Sequence, residues 1–238
     1  MVAGLLGGTA LGAAGLMAYG VRGKSSTWFA PSIWHGPRDR RIIALTFDDG
    51  PSESTPELLD ILAEFSVPAT FFQIGANVRR LPEVARAVTE AGHETGNHSD
   101  THPLFCFRTP EFLYKELDRA QKTIESATGT KPVHFRPPFG ARWFGLRRAQ
   151  QRLGLLGVMW TRIGGDWKLP ADTVARRLLG AAGNGAILCL HDGRELRVRP
   201  DIGETLKTVR RLVPALLDRG FKFATIGSLV CPTTLHNA

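Results

Sequence analysis

From Arg41 onward the chain alternates short apolar runs rich in β-formers with longer stretches whose apolar residues recur at helical spacing. This alternation restricts the fold more than any other feature. The first run, Arg41 to Phe47, carries Ile42, Ile43, Leu45 and Phe47 and stops at Gly50-Pro51. Leu58, Leu59, Ile61, Leu62 and Phe65 then mark a helical face, opened by Thr55-Pro56 as cap and first-turn proline. The series continues with strands over 69–74, 93–97, 133–136, 155–160, 186–190 and 221–225, and helices over 82–91, 110–127, 144–153, 171–179 and 203–219. The run from Ala186 to Leu190 is apolar throughout, as suits a parallel strand covered on both faces. About seven such β-α units predict an α/β fold: a parallel sheet with outer helices, closed like a (β/α) barrel or open and doubly wound. In either form catalytic groups gather where strands end and helices begin.

The polar residues fall on that rim. Asp48 and Asp49 follow the first strand, His98 and His102 the third, Arg136 the fourth, Asp166 and Trp167 the fifth, and His191 with Asp192 the sixth. Two adjacent carboxylates repel unless a cation or an arginine compensates. His98 and His102, spaced i, i+4, would share one side of a helical turn and could hold a metal together. With an aspartate from a neighbouring strand end they form an Asp-His-His set for a divalent ion, leaving positions for water and substrate. The second aspartate is then left to take a proton from an attacking water. His93, His134, His35 and His236 read as structural residues, and Asp100 as a capping or supporting group.

The 43% hydrophobic and 22% charged composition of the 238 residues suits one large domain with a substantial core. A formal charge of +8 favours anionic partners such as cell-wall polymers or phospholipid surfaces. Zinc-finger spacing, aromatic RNA-binding motifs and dense basic helices are lacking, which argues against nucleic acid. Cys106, Cys189 and Cys231 form no CxxC, so neither a disulfide framework nor a cysteine zinc site is indicated, and Cys189 reads as a small core residue. Residues 1–24 are distinct: no charge occurs from Val2 to Val21, and Arg22 and Lys24 follow. That length could cross a bilayer as a helix, Ala18-Tyr19-Gly20 would suit signal cleavage although a basic leader is missing, and a buried Gly- and Ala-rich helix is the third reading. Anchor and cleaved signal both lead to the cell envelope. Residues 25–40 read as a linker and 41–238 as the catalytic domain.

Five motifs in order carry a resemblance: TFDDG (Thr46 to Gly50), HSDTH (His98 to His102), RPPFG (Arg136 to Gly140), GDW (Gly165 to Trp167) and LHDG (Leu190 to Gly193). Together they resemble the polysaccharide deacetylases of the NodB-homology type, carbohydrate esterase family 4, from about Arg41 to Val230. The resemblance implies a distorted (β/α) barrel and metal-dependent removal of N-acetyl or O-acetyl groups from sugars, as in peptidoglycan or chitin oligomers. It implies that Asp49, His98 and His102 hold the metal, zinc first, with cobalt or another divalent ion as alternatives. Asp48 would be the general base, aimed by Arg136, and His191 the general acid, oriented by Asp166. The backbone N–H of Phe139 would serve the oxyanion, and Trp167 and Leu190 would line the acetyl pocket. Ile163 stands where the family often has the first Asp of DxxDW, which bears on specificity. Two other readings are deacylation or deformylation of a lipid-linked sugar, and a non-catalytic carbohydrate-binding module on the same fold. Oligomeric state is not encoded in these motifs.

Overall fold

The computed structural model describes residues 2–230, so the readings made for Cys231 and His236 lie outside it. A helix α1 (Val2–Arg22) and a strand β1 (Ser32–Ile33) come first. The alternating region then runs β2 (Ile42–Gly50), α2 (Thr55–Glu64), β3 (Thr70–Gln73), α3 (Gly75–Arg80), α4 (Pro82–Glu90), β4 (Glu94–Asn97), α5 (Pro110–Thr128) and β5 (His134–Phe135). It continues through α6 (Leu146–Leu153), β6 (Leu156–Val158), β7 (Arg162–Ile163), α7 (Ala171–Leu179), β8 (Ile187–His191), α8 (Gly203–Asp218), β9 (Lys222–Phe223) and α9 (Ile226–Val230).

The strands form one nine-stranded sheet, ordered β1-β6-β5-β4-β3-β2-β8-β7 with β9 beside the start of β2, and every ladder is parallel. The sheet curls into an open, distorted barrel. Across the gap between its edge strands, Thr161 Oγ1 donates to the Trp34 carbonyl at 2.9 Å, and His35 bridges Ala186.

Strand periodicity builds both the core and the site. In β2, Ile43, Leu45 and Phe47 point outward into a cluster with α2, α7 and α8, where they meet Leu58, Leu178 and Leu212. The alternate residues point inward: Ala44 joins Phe72, Ile187 and the α9 residues Ile226 and Leu229, which plug one end of the barrel. Further along the same inner face come Thr46 and then Asp48. The interior therefore turns from apolar to polar toward the carboxyl ends of the strands. A second apolar cluster seats α5 and α6 through Leu113, Leu117, Leu146 and Ala149. α5 begins where Thr109 Oγ1 accepts from the Phe112 N–H and ends at Gly129, whose φ of 72° only glycine adopts readily.

Three expectations change. Besides the seven strands read from the sequence, β1 and β7 add two-residue edges, too short to show any period. The segment 25–40 is laid onto the domain rather than spanning open space: Phe29 and Ala30 are buried and β1 pairs with β6. The short helices α3 and α9 were missed. Among the described residues no helix is long and apolar enough to cross a membrane. Glycines at 4, 7, 8, 12, 15 and 20 dilute the apolar character of α1.

Candidate active site

The ladder between β2 and β8 sets Ala44 beside Ile187, Thr46 beside Cys189 and Asp48 beside His191. Strand alternation turns these pairs into successive layers of the barrel interior. Arg136, at the end of β5 and fully buried, crosses the interior beneath them. Its Nη1 donates to Asp48 Oδ1 at 2.7 Å and to Thr46 Oγ1 at 2.8 Å, and its Nη2 and Nε donate to the carbonyls of Met159 and Val158 at 3.2 and 3.1 Å. The other oxygen of Asp48, Oδ2, lies 3.4 Å from Cys189 Sγ. Burial, with the Asp48 charge beside it, pushes the Cys189 thiol well above its ordinary range, so it stays protonated and donates to the carboxylate.

Asp49 is the bulged residue in the β2–β3 register and adopts a φ of 74°, which swings its carboxylate away from Asp48. Asn77 Nδ2 holds the Asp49 carbonyl at 2.8 Å, and Oδ2 accepts from the Glu195 N–H at 3.0 Å. Oδ1 is buried and accepts no hydrogen bond, although His98 Nε2 and His102 Nε2 stand 3.4 and 3.3 Å from it. Burial acts to raise this carboxyl, and the adjoining His98, His191 and His102 outweigh it and hold it below the carboxylate range.

The two histidines meet through a loop rather than a helical turn. Ser99 and His102 take φ values of 65° and 55°, and the loop is pinned by Asn97 Oδ1 to the Ser99 N–H, by Ser99 Oγ to the His102 N–H and by Glu116 to the Asp100 and Thr101 N–H groups. Asp100 faces away, bound by Arg79 and Arg119. His98 Nδ1–H donates to the Arg136 carbonyl at 2.7 Å, which fixes the tautomer and leaves Nε2 as the donor atom facing Asp49. Burial, with His98 nearby, brings His102 down to about 4, so its ring is neutral. One carboxylate oxygen without a partner and two imidazole nitrogens, all within 4.8 Å of one another, make a donor set that fits a divalent ion.

On the other side of the site, Asp166 Oδ1 receives His191 Nδ1–H at 3.0 Å, while Oδ2 receives the His191 N–H at 3.0 Å and Thr205 Oγ1 at 2.7 Å. Burial alone would lower the imidazole, but the Asp166 charge and hydrogen bond, with Asp49 and Asp48, push it up to about 9. His191 Nε2 is thus left toward the cavity, and the Trp167 ring stands edge-on to His191 at 4.9 Å between centroids. The cavity holds about 450 Å³, and Asp48, Asp49, His98, His102, His191 and Trp167 all line it. Phe139 also lines it, in a turn closed by the Gly140 and Ala141 N–H groups at 2.9 and 3.0 Å. Its own φ is 56°, and among the described residues its N–H has no acceptor.

Leu190 is the exception among the expected site residues. His191 faces inward, so strand alternation sends Leu190 outward into the cluster with Leu188 and Val174. Ile163, Trp160 and Gly140 line the cavity instead. The sequence carried no signal for Asn77, Cys189 read only as a small core residue, and Asp192 stood on the rim without a role. Asp192 is buried with Oδ2 bonded to Thr55 Oγ1 at 2.7 Å, and burial pushes its carboxyl up to about 7. The inward parity of Cys189 with His191 was the one available signal.

Comparison with known proteins agrees with this geometry. The polysaccharide deacetylase family model matches residues 35–158. The chain is 36% identical to a chitooligosaccharide deacetylase of Bradyrhizobium sp. (strain ANU 289), over 79% of this chain and 90% of that protein. It is 32% identical to a peptidoglycan-N-acetylglucosamine deacetylase of Bacillus cereus, over 83% and 92% respectively. The solved structure of the Bc1960 peptidoglycan N-acetylglucosamine deacetylase superposes with a TM-score of 0.79 at 27% identity, covering 84% of this chain and 92% of that one. A sheet, a motif order and a likeness over about four-fifths of the chain that all coincide leave one assignment: the chain belongs to the polysaccharide deacetylase family.

Proposed function

We propose that the protein is a metal-dependent carbohydrate deacetylase that hydrolyses N-acetyl groups on N-acetylhexosamine units of peptidoglycan-like or chitin-like glycans. The observation that carries this is the meeting, in one cavity, of an Asp-His-His donor set, an arginine-held carboxylate and an aspartate-held imidazole. The relatives named above support the substrate class. Two imidazoles and one carboxylate favour zinc among divalent ions.

An ion held by Asp49, His98 and His102 supplies Lewis acidity toward the amide carbonyl and makes water in the site more acidic. The remaining chemistry belongs to the side chains. Asp48 takes the proton of the attacking water, with Arg136 on Oδ1 and Cys189 on Oδ2 fixing its plane. The unpaired N–H of Phe139 donates to the oxygen that gains charge as the carbonyl carbon becomes tetrahedral. His191, protonated and held by Asp166, delivers a proton from Nε2 to the departing nitrogen. The C–N bond breaks and a C–O bond has formed, giving acetate and a free amino sugar. Trp167 and Trp160 wall the cavity against bulk water. Since every one of these groups stands at, or directly behind, one cavity, the geometry favours turnover over mere binding. We also place the protein at the cell envelope, on the strength of its +8 charge and apolar first segment.

Mass spectrometry of N-acetylglucosamine oligomers and of cell-wall glycan after incubation tests this, with formate followed in parallel. The expected result is loss of acetyl groups, abolished by a chelator and restored by zinc. Release of neither acetate nor formate from any glycan would overturn the reading. Asp48→Asn should keep stoichiometric metal and lose about 10²–10⁴-fold in kcat.

A further inference from the structure

Two arginines face the catalytic cavity without a carboxylate to neutralise them. Arg22 and Arg197 both line it, both are exposed, and among the described residues neither takes part in an ion pair. Most other charges at this mouth are spoken for. Asp48 is tied to Arg136, Asp49 belongs to the donor set, and Arg194 is bound to the Gly193 and Asp166 carbonyls at 2.7 and 3.2 Å. Glu195 also lines the mouth and contributes one negative charge without an ion-pair partner among the described residues, and His191, held protonated up to about 9, adds a positive charge. Arg22, Arg197 and protonated His191 thus outnumber Asp49 and Glu195 by one charge before any metal binds, and a bound divalent ion would make the mouth more positive.

Arg22 is held at the cavity by a built support. It ends α1, and the turn after it is clamped by Arg142, which is 1% exposed. The Arg142 N–H donates to the Val21 carbonyl at 3.0 Å, and its guanidinium donates to the carbonyls of Gly23 and Ser26. Lys24 Nζ reaches the Thr161 carbonyl at 3.1 Å, and Gly20 lies buried against Trp28 and Phe29. Arg142 follows the Phe139 turn by three residues, so the clamp ties Arg22 to the wall that carries the unpaired N–H. Arg22 lies before residues 35–158, the stretch matched by the family model.

We propose that Arg22 and Arg197 bind an anionic oxygen substituent, a carboxylate or a phosphate ester, carried by the glycan beside the sugar that is deacetylated. The proposal rests on the deacetylase reading above and narrows its substrate class to anionic glycans. Guanidinium groups suit it because their planar fork matches both oxyanions.

The test uses the full-length enzyme, its Arg22→Ala and Arg197→Ala variants, and three substrates: a neutral chitooligosaccharide, a glycan of equal length with a carboxylate on alternate sugars, and an N-acetylhexosamine phosphate. The wild type is expected to favour an anionic substrate. The ratio of kcat/KM on that substrate to kcat/KM on the neutral one should fall about tenfold in each variant. The change should sit in KM, and added salt should erode the ratio in the wild type. A fall confined to the carboxylated glycan or to the phosphate supports the proposal and names the anion. Calorimetric titration with the carboxylated glycan and the phosphate supplies a readout independent of turnover: Kd should weaken about tenfold in each variant. If no substrate loses acetate in the wild type, the deacetylase reading fails and the calorimetry still decides the anion site. Equal ratios and equal Kd values across all three proteins overturn it.

Discussion

Asp48 and Asp49 are neighbours in sequence, and their surroundings divide them by role. Asp48 lies on the regular strand face, where Arg136 and Cys189 satisfy both its oxygens, while Asp49 is turned by a positive φ and keeps one buried oxygen unpartnered. The same logic separates the histidines: His102 is brought down to about 4 by burial, whereas Asp166 and its neighbours outweigh burial and push His191 up to about 9. A raised pKa means that the proton is present below it and lost above it, so kcat should fall as pH rises along an alkaline limb set by His191. A cation on Asp49 cancels that residue's share, which places the limb somewhat below 9. Asp166→Asn removes the main raising influence and leaves burial, so the limb should move down by about one unit or more. A pH–kcat profile that does not move would remove His191 from the acid role. Cys189 offers a second check. Cys189→Ala should lower kcat several-fold with KM unchanged, and Cys189→Ser should recover part of the loss, because a hydroxyl can donate to Oδ2 as the thiol does. The rim residues were legible because each follows an apolar strand. Cys189 was not, since its neighbour across the ladder is fixed by a register between strands about 140 residues apart in sequence.

At the level of elements, the long helices and the apolar strands were legible from period and caps, as α5 shows with Thr109-Pro110 at its start and Gly129 at its end. The edges were not. β1 and β7 are two residues each, and what makes them strands is the neighbour they pair with, not their own pattern. Leu190 could have been excluded beforehand, since two successive residues of one strand cannot both face the barrel interior. Among the described glycines, the closest backbone-to-backbone approach lies just past the end of β8. A Cβ on Gly193 would stand 2.2 Å from the Asp49 carbonyl oxygen, and that oxygen is already held by Asn77. Because backbone meets backbone, no rotamer change relieves the clash, and the β8 end must move away from β2. Gly193→Ala should therefore cost about 1–3 kcal/mol in urea unfolding. It should also weaken zinc binding, since Asp49 is displaced with its carbonyl. Wild-type zinc affinity in a folded Gly193→Ala protein would show that this contact does not set the donor geometry.

Across the whole molecule, the donor set joins segments far apart in the sequence: Asp49 lies at the end of β2, while His98 and His102 lie in the loop after β4. An ion bound there links two separate strand ends and stabilises the folded barrel alone, because the unfolded chain offers no such triad. At an ion concentration of about a hundred times Kd the gain is about 2.7 kcal/mol, or roughly 5–10 °C in Tm for a chain of this size. Chelation should reverse it. The two histidines should separate in the metal-free protein. His98 Nδ1 holds the Arg136 carbonyl, so His98→Gln forfeits that bond and about 1 kcal/mol before any ion is added. His102 Nδ1 is buried without a partner, so His102→Gln should leave the metal-free Tm near wild type. Both variants should lose the zinc-induced rise in Tm. Calorimetric scans of the three proteins, with and without zinc, read both effects at once, and a full rise in His102→Gln would dissolve the proposed triad.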